Sequence, residues 1–364
     1  MNEKSRNNIL DILKGIGIIL IVLGHTGFKY NNFIYLFHMA IFFIASGYLF
    51  KKKYTENKKE LKGFIVKKIK RLYIPFIICN VIAIFLNNFF ININIYDLTN
   101  HSIFGLKDFA TNILKVILFH NNTEIFGATW FLRILFEVSI IYAIIDYFLN
   151  KKAKKYKHII QIIISIIFCI VGFVMIDKSI SLPFIDISML ETYILFELGI
   201  IIKKYTKENI KSIYRIIILI FSFLLLLLLS KCGEIEMSKN IYTNLFYYLI
   251  ASIAGWYLVY EIAYFISKIK IINNIFEYIG YKSFSILIWH FVAFKLVNYF
   301  VVVLYNMDFS NISKFPVLLK NDYWYLVYTL VGIILPLILD KLYCLLKNLI
   351  NRRRNETRSS NNNI

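Results

Sequence analysis

Long apolar runs alternate with short polar clusters along the whole chain, and the length of the runs sets the first expectation. A helix needs roughly 20 apolar residues to cross the hydrocarbon core of a bilayer. About ten stretches reach or approach that length: 8–27, 32–50, 72–91, 127–149, 158–176, 187–202, 213–230, 241–266, 282–304 and 323–346. The 187–202 stretch is short and carries Glu191 and Glu197, which makes it the least regular of the set. The pattern predicts an all-α, polytopic integral membrane protein with a single transmembrane domain over 1–350. Residues 351–364 read as a basic, then polar tail with too few apolar groups to order itself. The first run has no small-residue cleavage site behind it and carries charges inside it, so it reads as a retained helix and not a signal peptide. No soluble domain is expected at either end.

The polar clusters give the expected orientation. Basic residues gather after the second, fourth, sixth and eighth runs, at Lys51–Lys53 through Arg71, Lys151–Lys157, Lys203–Lys211 and Lys268–Lys270. The tail adds Lys347, Arg352, Arg353, Arg354 and Arg358, and the N-terminus adds Lys4 and Arg6. The intervening loops carry only scattered lysines, among them Lys29, Lys107, Lys239 and Lys320. Positively charged loops stay in the cytoplasm, so both termini are expected there. The long segment 92–126 then lies outside. It holds an amphipathic run from Phe109 to Phe119 and reads either as a lid or platform on the outer surface or as an ordinary connection.

Composition agrees and narrows the classes. Hydrophobic residues make up 59% of the chain and aromatics 17%, beyond the range of soluble domains. The net charge of +20 does not point to nucleic acid, because the basic residues are dispersed between apolar runs. Cys79, Cys169, Cys232 and Cys344 are far apart, without metal-ligand spacing or a disulfide framework. No metal is expected. Abundant Ile, Asn and Lys suggest an AT-rich bacterial genome, hence a bacterial plasma membrane.

Ionisable groups inside spans are costly and face a cavity or a partner. The first span carries Asp11, Lys14 and His25. Eleven steps of about 100° bring His25 some 20° past three full turns from Lys14, so the two share a face, roughly 16 Å apart along the axis. Asp11 stands three residues before Lys14 and can pair with it. His38, in the second span, falls at the same expected depth as His25, and the two read as lining one outward cavity or as histidines bonded between helices. Arg133 and Glu137 read as a structural ion pair one turn apart. Trp130 stands where aromatic belts occur. Glu191 and His290 are further intramembrane candidates. The run Lys67-Lys68-Ile69-Lys70-Arg71 reads either as a topology determinant touching anionic membrane lipid or as a capture site for an anionic cytosolic ligand.

These residues resemble those of membrane acyltransferase family 3, typified by fucose 4-O-acetylases and surface-polysaccharide O-acetyltransferases. The run Asp11-Ile12-Leu13-Lys14-Gly15-Ile16-Gly17 through Gly24-His25 is similar to the family's first helix, with its basic residue, ten intervening positions and histidine. Phe37-His38-Met39, Phe42-Phe43 and Ser46-Gly47-Tyr48-Leu49-Phe50 resemble the second. Lys68 and Arg71, followed by Pro75, align with an Arg-x-x-Arg motif, with Lys68 replacing the first arginine. Trp130-Phe131-Leu132 matches a tryptophan motif, and Gly280, Ser283 and His290 resemble a late helix. The resemblance covers about 8–346. It implies acetyl-CoA as cytosolic acyl donor and a sugar or polysaccharide hydroxyl as outer acceptor. His25 is then the expected catalytic group, with Lys14, Lys68 and Arg71 on the donor and His38, Trp130, Glu191 and His290 toward the acceptor. A transporter or flippase for a glycan or lipid-linked sugar is the competing class, although no internal repeat is evident. The oligomeric state, including a homo-oligomer, stays open.

Overall fold

The apolar runs become helix almost throughout. The structure, a computed structural model, describes residues 8–180, 186–205, 210–320 and 323–361. In chain order the helices are α1 (Asn8–Gly24), α2 (Asn31–Tyr35), α3 (Ala40–Tyr48), α4 (Lys58–Lys68), α5 (Ile74–Phe85), α6 (Asn87–Asn92), α7 (Leu106–Ile117), α8 (Trp130–Lys152), α9 (Lys157–Asp177), α10 (Ile187–Tyr205) and α11 (Ser212–Cys232). A two-stranded hairpin follows, β1 (Ile235–Glu236) and β2 (Ile241–Tyr242), turned by Asn240 in the left-handed region at φ 55°. The chain closes with α12 (Leu245–Ile266), α13 (Lys270–Tyr281), α14 (Ser283–Leu304) and α15 (Trp324–Asn361). The N-terminal Lys4 and Arg6, and Lys207 of the basic loops, lie outside the described residues.

Six helical segments among the described residues are long and apolar enough to cross a membrane: Glu124–Lys152, Lys157–Asp177, Ser212–Cys232, Leu245–Ile266, Ser283–Leu304 and Trp324–Asn348. These match six of the ten expected stretches. The other four have a different local form. The first is α1, 17 residues long. The 32–50 stretch is broken into α2 and α3 by turns around His38. The 72–91 stretch is split into α5 and α6, and its helix begins earlier, in the basic run of α4. The polar 187–202 stretch is α10.

A π-turn, Ile69–Tyr73, joins α4 to α5. Pro75 offers no N–H to the carbonyl four residues back, that of Arg71, and its ring crowds that carbonyl. The chain widens by one residue, and the Ile74 N–H donates to the Ile69 carbonyl. Such bulges recur at functional sites. Here it falls on the basic motif.

Two glycine contacts draw the core together. Helix α1 crosses α13 so closely that a Cβ on Gly15 would overlap the Phe276 carbonyl, and one on Gly280 the Asp11 carbonyl. Helix α3 crosses α10 in the same way, with Gly47 against the Phe196 backbone and Gly199 against Ile44. In lipid the tails are as apolar as the side chains, so helices associate through such close packing more than through the hydrophobic effect.

The basic loops meet at one end of the bundle. Lys203 donates to the Phe50 carbonyl at 3.4 Å and Asn150 to the Thr55 carbonyl at 3.0 Å. Lys157 pairs with the buried Asp146 at 2.8 Å, and Lys282 pairs with Asp340. At the same end Arg215 lies buried against Glu261 at 2.9 Å and over the Tyr264 ring at 3.8 Å. The opposite end carries the hairpin and the 305–320 loop. Asn32 holds the hairpin's base through the carbonyls of Ser230 and Gly233, at 2.6 and 3.1 Å.

Substituting Gly47 or Gly280 with Leu should cost about 1–3 kcal/mol or more through overpacking. A lowered melting temperature of the detergent-solubilised protein checks this. Gly63, with open space around it, supplies the control: Gly63→Leu should leave the midpoint unchanged.

Candidate active site

The stripe read on the first helix becomes the wall of two cavities. Lys14, Ile18 and Ile21 line a narrow cavity of about 150 Å³ near the basic end. Gly24 and His25, the next turn of the same face, line a vestibule of about 460 Å³ at the hairpin end. Two other segments do the same. Helix α14 gives Ser283, Phe284 and Leu287 to the narrow cavity and Phe291 to the vestibule. Helix α8 and the turn before it give Phe131, Leu132 and Leu135 to the first, and Gly127, Ala128 and Trp130 to the second. The two spaces therefore lie end to end along three shared helical faces.

His25 stacks on His290, with ring centroids 5.6 Å apart and planes 19° apart. It also meets the Phe291 ring edge-on at 4.9 Å. Tyr35 bridges toward His38, with ring centroids 6.4 Å from His25 and 4.8 Å from His38. His38 and His290 are held alike. Each donates its Nδ1–H to the carbonyl four residues earlier, Ile34 at 3.0 Å and Ile286 at 3.1 Å. A carbonyl only accepts, so the bond fixes the tautomer and leaves Nε2 with its lone pair. The buried Nε2 of His290 has no hydrogen-bond partner.

The vestibule's remaining walls come from segments far apart in the chain. The hairpin contributes Glu236, Ser238 and Lys239, and the loop after α14 contributes Phe315, Pro316 and Lys320. Asn31 ties its own turn to α1 by donating to the Gly24 carbonyl at 2.9 Å. Tyr35, Phe291 and the hairpin were not singled out in the sequence. Only the three-residue spacing of Tyr35 and His38 hinted that they share a face.

At the basic end Lys14 pairs with Asp11 at 2.7 Å, as the spacing predicted. Lys68 donates to Ser139 Oγ at 2.9 Å, and Ser139 donates in turn to the Leu135 carbonyl, a residue of the narrow cavity. Leu72, one turn beyond Lys68, lines that cavity too. Burial, with the Lys67 and Arg71 cations alongside, pushes the Lys68 ammonium down to about 8. Arg71 is exposed beside it.

Of the expected site residues only Lys14, His25 and Trp130 line these cavities; His38, Lys68, Arg71 and His290 do not, nor do two other expected features. Glu191 is buried and accepts a hydrogen bond from Tyr242, with Tyr248 donating to its backbone carbonyl at 3.5 Å, and it lines neither cavity. The segment 92–126 contributes none of the residues found lining the vestibule. Arg133 pairs with Glu137 at 3.1 Å and also reaches Asp186 at 3.4 Å.

The family model of the acyltransferase domain of acyltransferase family 3 matches residues 7–341. The chain belongs to acyltransferase family 3. No curated protein and no solved structure gives a significant match. With its apolar spans, this family 3 chain is a multi-pass membrane acyltransferase. The match spans both cavities along with nearly all of the chain. An imidazole on the wall of an open, polar-rimmed space, as His25 is here, suits proton abstraction from a hydroxyl.

Gly127 gives a direct test of the vestibule. A Cβ there would meet the Phe291 ring at 3.4 Å and the Phe315 ring at 3.8 Å, both ordinary van der Waals distances. Gly127→Leu should therefore fill the vestibule without unfolding the protein. Acyl transfer is expected to fall at least about tenfold, a loss worth roughly 1.4 kcal/mol of transition-state stabilisation, while the melting temperature holds.

Proposed function

We propose that this protein is an O-acetyltransferase of a bacterial plasma membrane, moving acetyl from cytosolic acetyl-CoA to a hydroxyl of a cell-surface or lipid-linked polysaccharide. The observation that carries the reading is the end-to-end pair of cavities along Lys14, Ile18, Ile21 and His25. Under the positive-inside rule the basic end faces the cytoplasm and the vestibule faces outward. Lys14, Lys68 and Arg71 then stand where the phosphates of a coenzyme A would arrive. The pantetheine arm would thread the narrow, mostly apolar cavity and present its thioester near His25.

In this reading His25 takes the proton from the acceptor hydroxyl as its oxygen attacks the thioester carbonyl. The carbon–sulfur bond breaks, and the departing thiolate takes the proton back from the imidazolium. A positioned base contributes about 10²–10⁴-fold. His290, stacked beneath His25 and holding an unpartnered Nε2, keeps that ring in place and offers a second acceptor for a substrate proton. Trp130 borders the acceptor space, and His38 stands behind it against Tyr35. The location of Glu191 favours a packing role over an acceptor contact.

His25→Ala should reduce transfer of acetyl from labelled acetyl-CoA by about 10²-fold or more, with membrane insertion intact. NMR of surface polysaccharide from cells with and without the gene names the acceptor through the lost acetyl methyl signal. Glycan transport without any acyl transfer would instead favour the transporter class.

Donor affinity should depend on pH through Lys68. An approaching phosphate stabilises the ammonium and raises its pKa, so the contribution is full below about 8 and fades as pH rises past it. Apparent affinity for coenzyme A is expected to weaken by up to about tenfold per pH unit above that point. In Lys68→Arg, measured by calorimetry, this pH-dependent part should vanish, because guanidinium stays charged.

A further inference from the structure

Beside the vestibule runs a second, almost wholly apolar groove of about 560 Å³, in the half of the bundle nearer the hairpin end. Its mouth is made by α5, α6 and α14. Ile82, Leu86 and Leu296 stand there 50%, 38% and 53% exposed, on the apolar outside of the bundle. Its floor is the edge-to-face pair of Phe126 and Trp289, with centroids 5.6 Å apart. Volumes of about 300–1,000 Å³ are typical of sites that hold a discrete small molecule.

The groove and the vestibule share one thin wall. In the turn before α8, Phe126 faces the groove and the next residue, Gly127, the vestibule. On α14, Val292 lines the groove and Phe291 the vestibule. In the 305–320 loop, Ile312 lines the groove while Phe315 lines the vestibule. Three separate segments thus supply residues to both spaces. The wall is pinned by Lys295, a groove-lining residue only 4% exposed, whose ammonium donates to the carbonyls of Ser313 at 2.7 Å and Ile95 at 3.0 Å and pairs with Glu124 at 3.4 Å. Asn298 adds a bond to the Lys314 carbonyl at 2.8 Å. The groove is therefore a built feature beside the histidines and not a gap left by loose packing.

We infer that this groove holds the hydrocarbon anchor of a lipid-linked acceptor, whose sugar reaches over the Gly127 edge into the vestibule. The inference rests on the acyltransferase reading above and narrows its acceptor to a membrane-anchored glycan. A hydrocarbon chain gains no transfer free energy by leaving lipid for protein. The groove acts by shape: it aligns the chain, so that the attached sugar meets His25 at a high effective concentration. A soluble glycan has no use for such a surface, and a bulk diacyl lipid carries no sugar to project over the edge.

The test is photolabelling of the full-length protein in phosphatidylcholine vesicles. One probe is a hexadecyl β-glucoside with a mid-chain diazirine; the other is phosphatidylcholine with the same diazirine in one chain. The glucoside should label Leu86, Phe90, Trp289 or Leu296 in preference to the phospholipid, with crosslinks mapped by mass spectrometry. Labelling should fall several-fold in Leu296→Trp and Leu86→Trp, two exposed positions where a larger ring fills the groove without entering the core. Equal labelling by both probes makes the groove a bulk-lipid contact and overturns the inference. So does labelling mapped elsewhere, no labelling, or a tryptophan variant that labels as the wild type. Because labelling needs no acetyl-CoA, its failure leaves acyl transfer untouched. Intact labelling with no acyl transfer by the wild type would overturn the enzymatic reading alone.

Discussion

A helix that carries Asp11, Lys14 and His25 cannot be left facing hydrocarbon, and most of this bundle follows from that constraint. An ionisable group in the bilayer core needs a partner or a cavity. Helix α1 finds both by becoming the centre of the molecule, with α12, α13, α14 and α15 packed around it. Its glycines allow the approach: Gly15 meets the α13 backbone directly, and Gly280 of α13 returns the contact at Asp11. The polar face is then left looking along a seam between helices. That seam is the pair of cavities.

The same economy governs the second and third elements of the site. Breaking the 32–50 stretch at His38 spends helical hydrogen bonds, but it sets Tyr35 and His38 around the far end of α1. The Phe37 ring occupies the space that a side chain on Gly255 would need, which fixes the break against α12. At the other end, the π-turn before Pro75 sets Lys68 toward Ser139 and the narrow cavity while Arg71 stays exposed. Both irregularities stand next to polar groups that have work to do, and interruption of a helix is tolerated in a membrane protein where it is buried or lines a cavity.

The rim of the vestibule is assembled from long-range parts. A two-residue strand pair, a turn before α8 and the loop after α14 meet there. Each is held by a side-chain amide or ammonium on backbone carbonyls, Asn32 under the hairpin, Asn122 on Gly127 in the turn, and Lys295 with Asn298 under the last loop. Where water is scarce, such bonds are the means of satisfying carbonyls outside regular structure. They give the wall between vestibule and groove a defined position.

Helical class, the six long apolar spans, the clustering of basic loops and the Lys14–His25 stripe were all legible in the sequence, because each depends on local spacing and on a bilayer that imposes its own period and length. The Asp11–Lys14 and Arg133–Glu137 pairs were legible for the same reason. What the tertiary structure decided is which polar groups meet. His290 stacks on His25 from the far end of the chain, while Glu191, an equal candidate in the sequence, is carried off to Tyr242. The breaks at His38 and after Phe85 were also invisible, since an apolar run reads alike whether its helix is continuous or interrupted. Helix α13 was missed because twelve amphipathic residues resemble a loop until a neighbour is present to cover Gly280. Pairing across such distances depends on how helix faces pack, and no single segment carries that information.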